Sequence, residues 1–365
     1  MLKNIKIKNF KSIKDQDIDL KNLNVLIGQN GAGKSNFISL FKFLERLVEQ
    51  QLSGYIIDSG GINNFLFNGF EISDFIGLDL AFEPEAPISN YSLKIKSNGE
   101  DYRIANEVLG FNDADLTIEA IKLDIAGNKR ESELKRSVSE ATLLFYNYLK
   151  FLKVFHFQDT SENNALKLPQ DIEDVYFFKN EAENIAPLLL FLKNSDFHTY
   201  TKIVEVTRLV YPLFNDFELQ ESPTAKGKIV LRWTEKGNDN VFSVKQISDG
   251  TLRFICLATL LLQSKTSKLV PETIILDVPE LGLHPFAIHI LSELLKKASL
   301  DRQIILATQS VTLINHFTAD DLLIAERDDS GATIFKHKNQ EELKEWLEDY
   351  TLGELWENNF FGGRP

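Results

Sequence analysis

Residues 28–35 read Gly-Gln-Asn-Gly-Ala-Gly-Lys-Ser, the spacing G-x-x-x-x-G-K-[ST]. An apolar stretch at 24–27 precedes them, and Phe37, Leu40, Phe41, Leu44 and Leu47 follow at helical spacing. The run therefore lies on a turn between a buried strand and a helix. In that setting the glycines let the backbone wrap closely around a phosphate chain, and successive N–H groups at the helix start face the β-phosphate. Lys34 is expected to reach the β and γ oxygens and Ser35 to ligate Mg²⁺, with Asn30, Gly31, Ala32, Gly33 and Asn36 completing the nucleotide-contacting set. Such a loop needs a carboxylate at the end of a neighbouring buried strand to hold the metal. Residues 273–277 (TIILD) supply one, so Asp277 is the expected magnesium-side acid.

These residues need a scaffold. The chain has 365 residues, 43% hydrophobic and 25% charged, an ordinary globular composition with room for one large or two moderate folding units. Its net charge of −13 argues against a generally basic nucleic-acid coat protein while leaving room for a local basic patch. A single cysteine, Cys256, excludes an internal disulfide and a zinc-thiolate cluster, and its apolar helical neighbours mark it as core. The N-terminus lacks the apolar run of a signal peptide, and no stretch is long enough to span a membrane. A cytoplasmic protein without membrane contact is expected.

Alternation of apolar and polar residues predicts strands over 4–10 and 16–20, and an antiparallel meander over 75–125 that includes residues 116–125. A helix is expected over 131–150, a strand over 151–157, helical segments from 188 to about 211, and a strand pair at 228–233 and 240–244. Strand and helix then alternate from 251 to 308, the pattern of a parallel sheet, before an amphipathic helix over 339–350. No heptad pattern persists, so no coiled-coil arm is expected. The expected fold is α/β with a mixed sheet, divided into an N-terminal lobe (1–130), a helical insertion (131–227), a C-terminal lobe (228–338) and a final helix and tail (339–365).

The order of motifs carries a resemblance. The phosphate loop is followed by Gln-Ile-Ser-Asp-Gly-Thr (246–251), Asp-Val-Pro-Glu-Leu-Gly-Leu-His-Pro (277–285) and Ala-Thr-Gln-Ser (307–310). This resembles the ABC-type ATPase heads of the SMC, RecF and overcoming-lysogenization-defect group. It is more closely similar to compact bacterial AAA-type ATPases whose chains end much like TLGELWENNFFGGRP here. The resemblance implies a P-loop NTPase of ABC/SMC-head type that binds ATP and Mg²⁺. It makes Ser248, Asp249 and Gly250 the signature loop, which in the family caps the γ-phosphate of a nucleotide on the other subunit. A homodimer, or a higher assembly, follows from it. Gln158 would stand where such heads keep the glutamine sensing metal and water, a surface-loop glutamine being the alternative. Gln309 would occupy the switch position, where many relatives carry histidine, and can donate to a γ-phosphate or orient water. His284 would lie at the dimer seam, or simply start a helix.

One departure is sharp. Relatives generally read Asp-Glu-Pro-Glu where this chain reads Asp-Val-Pro-Glu, and Val278 can neither accept a proton nor orient water. Glu280 is the remaining candidate base. Nucleotide-driven dimerisation with slow hydrolysis is therefore expected, and too little chain follows Gln309 for a fused toprim-type nuclease. The resemblance thus implies an ATP-switched regulator of a separate effector, a nuclease or toxin, in bacterial anti-phage defence. The alternative is a RecF-like repair ATPase that closes on DNA. Lys3, Lys6, Lys8, Lys11 and Lys14 form either a basic strand pair for that purpose or a solvated face. The aromatic residues Trp346, Trp356, Phe360 and Phe361 are expected to pack on their own head, with partner docking as the other reading.

Overall fold

The structure, a computed structural model, describes residues 1–83, 88–111, 129–136, 140–161 and 163–363. The strand expected over 116–125 lies outside the described residues. The chain forms two compact units, Met1–Val154 with Thr318–Pro365, and Phe155–Phe317.

In the first unit, alternation becomes an antiparallel sheet of β1 (Leu2–Phe10), β2 (Ile13–Asp19), β4 (Phe75–Phe82), β5 (Ile88–Ser97) and β6 (Tyr102–Phe111), in the order β2-β1-β4-β5-β6. Ile5 and Ile7 point inward, opposite Ile18 and Gln16 on one side and Leu80 and Leu78 on the other. The intervening Lys6 pairs in register with Asp17 and Asp79 and bonds the Asp17 carboxylate at 2.9 Å, while Lys3 meets Glu83 at 3.1 Å. The outer face is thus mixed in charge rather than a basic stripe. β3 (Leu23–Ile27) is buried throughout, the sign of a central parallel strand, and pairs parallel with Leu322–Arg327, which pairs antiparallel with Thr333–His337.

Helix α1 (Lys34–Val48) follows the loop after β3 and buries Phe37, Ile38, Leu40, Phe41, Phe43, Leu44 and Leu47. Phe43 meets Phe10 at 5.5 Å and Phe65 at 5.4 Å between ring centres. Replacing one such phenylalanine by alanine is expected to cost about 3–5 kcal/mol, because cavity and transfer losses add. This packing fixes where the helix starts. Helix α2 (Leu52–Asp58) follows it; of the helix expected over 131–150, α3 (Glu140–Lys150) forms the end, whereas residues 131–133 are not helical and Leu134–Arg136 make a single 3₁₀ turn.

The second unit carries a parallel pair, Thr273–Asp277 with Gln303–Ala307, whose register sets Asp277 beside Ala307. Helices α4 (Ile185–Ser195), α5 (Phe197–Val210), α6 (Asp249–Leu261) and α7 (Pro285–Ser299) complete it, with a small antiparallel sheet formed by Phe214–Glu218, Arg232–Glu235 and Asn238–Ser243. Trp233 is its centre, stacked at 4.7 Å on Phe242. Among the described residues no helix exceeds the 15 residues of α1 and α7, and none is long and apolar enough to cross a membrane.

Two local expectations change. The stretch 151–157 yields only the short strand Val154–Phe155. The helix expected over 339–350 is instead two single 3₁₀ turns, Glu341–Leu343 and Trp346–Glu348, followed by a helix at Leu352–Glu357. Only Leu343 is buried in those turns, and short helices rely on tertiary burial of an apolar face.

Candidate functional site

In the first unit, β3 delivers its chain end at Gly28, where φ is +147° and a Cβ would stand 2.3 Å from the Ala325 carbonyl oxygen. Only glycine allows that approach. Gly33 then precedes α1, whose first turn has neither a side-chain cap nor an acidic residue. The first N–H groups of a helix have no partner within it, so an uncapped start behind a glycine turn suits an anion. Lys34 is buried, and its ammonium donates to the carbonyls of Gly28 and, at 3.2 Å, of Gln29. A buried ammonium held at the loop by backbone carbonyls stands where a phosphate can be paired with it. The Ser35 side chain is exposed on the first turn.

A polar frame that sequence reading did not detect holds this loop. The Asn36 amide donates to Ser12 Oγ at 2.6 Å, Ser12 Oγ meets Thr333 Oγ1 at 2.7 Å, and Thr333 Oγ1 donates to the Ala32 carbonyl at 2.8 Å. Arg327 Nε donates to the Gly31 carbonyl at 2.9 Å. Two segments far from the loop in sequence, at Ser12 and over 327–333, thus converge on it, and no local pattern could have announced them.

In the second unit, Asp277 ends its strand half-buried, and Gln158 Nε2 donates to the Asp277 carbonyl at 3.2 Å. This brings together two residues that sequence reasoning linked only by position. Val278 follows with φ +48°, a left-handed conformation that β-branched residues avoid, and its N–H donates to the Ala307 carbonyl at 2.9 Å. Glu280 is buried. Its Oε1 accepts from Thr308 Oγ1 at 2.6 Å and from the Gln309 N–H at 3.3 Å, while Oε2 is buried with no hydrogen-bond partner among the described residues. Burial pushes the Glu280 carboxyl above its ordinary range, and nearby Asp277 adds to the shift. A carboxyl tuned upward in this way can exchange protons nearer neutral pH. Gln309 itself is exposed.

Ser248 is exposed and caps α6, its Oγ accepting from the Thr251 N–H at 3.1 Å. Asp249 in the first turn pairs with Lys167 at 3.2 Å, and Gly250 lies so close to the Gly282 carbonyl that a Cβ would stand 2.5 Å from it. Arg253, one turn further on and absent from the sequence expectations, ties the region together. Its guanidinium donates to the carbonyls of Phe157 (3.1 Å), Gln158 (2.8 Å) and Leu281 (3.2 Å) and to Thr160 Oγ1 (3.3 Å). One planar fork thereby joins the signature-like helix to the loops carrying Gln158 and Glu280.

His284 caps α7, its Nδ1 accepting from the Phe286 N–H at 3.3 Å, with Pro285 opening the helix. Cys256 is buried, which pushes its thiol well above the usual range. Trp356 and Phe361 are buried within the first unit, whereas Trp346 and Phe360 stand close to half exposed.

A family model described as "AAA domain, putative AbiEii toxin, Type IV TA system" matches residues 23–315. Among solved structures, the chain is similar to an SmcHead bound to the C-winged helix domain of ScpA, with a TM-score of 0.61 and 14% identity over 94% of this chain and 99% of that one. It is also similar to an Smc head domain with an extended coiled coil bound to the C-terminal domain of ScpA derived from Pyrococcus furiosus. There the TM-score is 0.59, with 13% identity over 95% of this chain and 98% of that one. No curated protein matches the chain. At these identities the structural likeness concerns the fold, a P-loop NTPase of SMC-head type.

Proposed function

The chain belongs to the AAA-domain family whose model spans residues 23–315, and from that premise we propose that it is an ATP- and Mg²⁺-dependent switch that dimerises on nucleotide and regulates a separate effector. One observation carries this reading: a phosphate cradle with an uncapped helix start and a buried lysine coexists, in the same chain, with a valine at the position where relatives place the water-activating acid. A site that binds well and turns over slowly holds a state, which is what a switch requires.

In this reading Asn30, Gly31, Ala32, Gly33, Lys34, Ser35 and Asn36 would bind the triphosphate, and Ser35 and Asp277 are the residues proposed as Mg²⁺ ligands. Magnesium usually takes one or two protein ligands beside phosphate oxygens and water, so a hydroxyl and one carboxylate suit it, and bound there it would neutralise phosphate charge. Gln158 and Gln309 orient water or phosphate, and Glu280 supplies the only nearby acid on the 278–282 loop. Ser248, Asp249 and Gly250 act on the nucleotide of the second copy. The family description names a toxin and a toxin–antitoxin system, which supports a defence-associated role. Beyond that description, the effector would be a nuclease or toxin supplied in trans, the setting anti-phage defence and the location the cytoplasm.

Sizing the protein with and without ATP and Mg²⁺ tests the switch. A monomer under both conditions, with nucleotide bound, would overturn it. A second reading, a RecF-like clamp on DNA, has one observation in its favour. A basic concavity of about 360 Å³ in the first unit is lined by Lys96, Arg103 and Arg130, although Arg130 already pairs with Asp101 at 2.8 Å. ATP-dependent duplex binding that weakens steeply with salt would favour that reading.

A further inference from the structure

Residues 351–363 pack against the root of the phosphate loop. Thr351 and Glu354 form a reciprocal cap, Thr351 N–H to Glu354 Oε2 at 2.7 Å and Glu354 N–H to Thr351 Oγ1 at 3.3 Å, so the helix Leu352–Glu357 starts at a defined place. That helix buries Leu355 and Trp356 completely. The Trp356 indole N–H donates to the Gly363 carbonyl, and the Gly363 N–H donates to Glu326 Oε1 at 3.0 Å. The segment is thereby closed on itself and fastened to the strand Leu322–Arg327.

Gly363 has φ +65°, and a Cβ on it would stand 2.5 Å from Ile324 Cγ2, 3.3 Å from Gly28 Cα and 3.6 Å from the Ala325 carbonyl oxygen. The backbones of Gly28, Ala325 and Gly363 therefore approach one another closely, with the Ile324 side chain beside them. Gly28 is also the residue whose carbonyl receives the Lys34 ammonium. A displacement of Gly28 moves one of the acceptors that hold the lysine where it waits for phosphate.

We infer that Trp356 and Gly363 are positioning residues of the nucleotide site: they hold Gly28, and through it the Lys34 ammonium, in the geometry that accepts the triphosphate. The inference rests on the nucleotide-binding reading above. It assigns a role in phosphate binding to a segment that carries none of the phosphate-loop chemistry and lies at the far end of the sequence from it.

The test uses the full chain and the fluorescent nucleotide mant-ATP with Mg²⁺, in wild type, Gly363→Ala and Trp356→Phe. Alanine at 363 meets both the left-handed backbone and Ile324, whereas phenylalanine at 356 keeps an aromatic ring there but removes the donor to Gly363 and part of the buried indole volume. Each substitution should raise the Kd about tenfold, the factor that corresponds to a loss on the scale of one left-handed alanine. The thermal midpoint without nucleotide is measured in parallel. Both substitutions should lower that midpoint, by strain at 363 and by lost ring volume at 356. A merely structural role stops there and leaves the affinity of the folded protein unchanged, whereas a positioning role also weakens binding measured well below the midpoint. Should Gly363→Ala fail to fold, Trp356→Phe decides. Wild-type binding with unchanged affinity in the folded variants overturns this inference alone, and a wild type that binds no nucleotide overturns the proposed function as well.

Discussion

Replacing Val278 by glutamate should accelerate ATP hydrolysis, and the size of the effect can be worked out. A positioned general base contributes about 10²- to 10⁴-fold, or roughly 3–5 kcal/mol of barrier. The backbone at 278 is anchored by its N–H to the Ala307 carbonyl at 2.9 Å, so a new side chain would start from a fixed point beside Asp277. Glutamate is not branched at Cβ and tolerates φ +48° better than valine, while the adjacent carboxylate would raise its pKa toward the working pH. We expect the lower end of the range, about 10²-fold, because the flanking loop carries no evolved support for that side chain. Phosphate release under excess ATP and Mg²⁺, with single-turnover measurements to separate chemistry from product release, is the assay. Val278→Gly is the control. It relieves a left-handed cost of about 1–2 kcal/mol, loses about 1 kcal/mol of half-buried apolar surface and adds about 0.5–1 kcal/mol of unfolded-chain entropy, so stability should barely change and no base appears. If the glutamate variant binds ATP yet hydrolyses within about threefold of wild type, the missing side chain is not the defect. Equal acceleration by glycine would instead make backbone strain the brake.

Arg253→Ala should destabilise the protein by about 2 kcal/mol in chemical denaturation, since four acceptors lose their donor, and lysine should recover only part because one ammonium cannot span the fork. Glu280 has its pKa raised in the folded state, so its contribution to stability is full below the unfolded-state pKa and is lost as pH rises through the folded-state value. Glu280→Gln should remove that dependence, and melting curves across the window above the ordinary glutamate range would show the wild-type decline flattened in the variant. Ser248→Ala should cost about 1 kcal/mol as a lost helix cap, with ATP binding to the single chain intact and ATP-driven dimerisation weakened on sizing columns.

The phosphate loop and the two buried strands ending at Asp277 and Ala307 were legible from sequence because each is a contiguous pattern with its own signature: glycines at a turn, then helical spacing, or a short apolar run. The same locality explains the errors. The amphipathic pattern over 339–350 satisfied a helix on paper, but only Leu343 is buried in its two 3₁₀ turns. What tertiary structure alone decided is how the loop is supported. Ser12, Arg327, Thr333 and Gly363 reach residues 28–36 from opposite ends of the chain, and Arg253 joins loops more than ninety residues apart in sequence. Side-chain hydrogen bonds and backbone contacts of this kind leave no periodicity behind. They depend on which segments the sheet brings together, and that is settled only when distant strands pair.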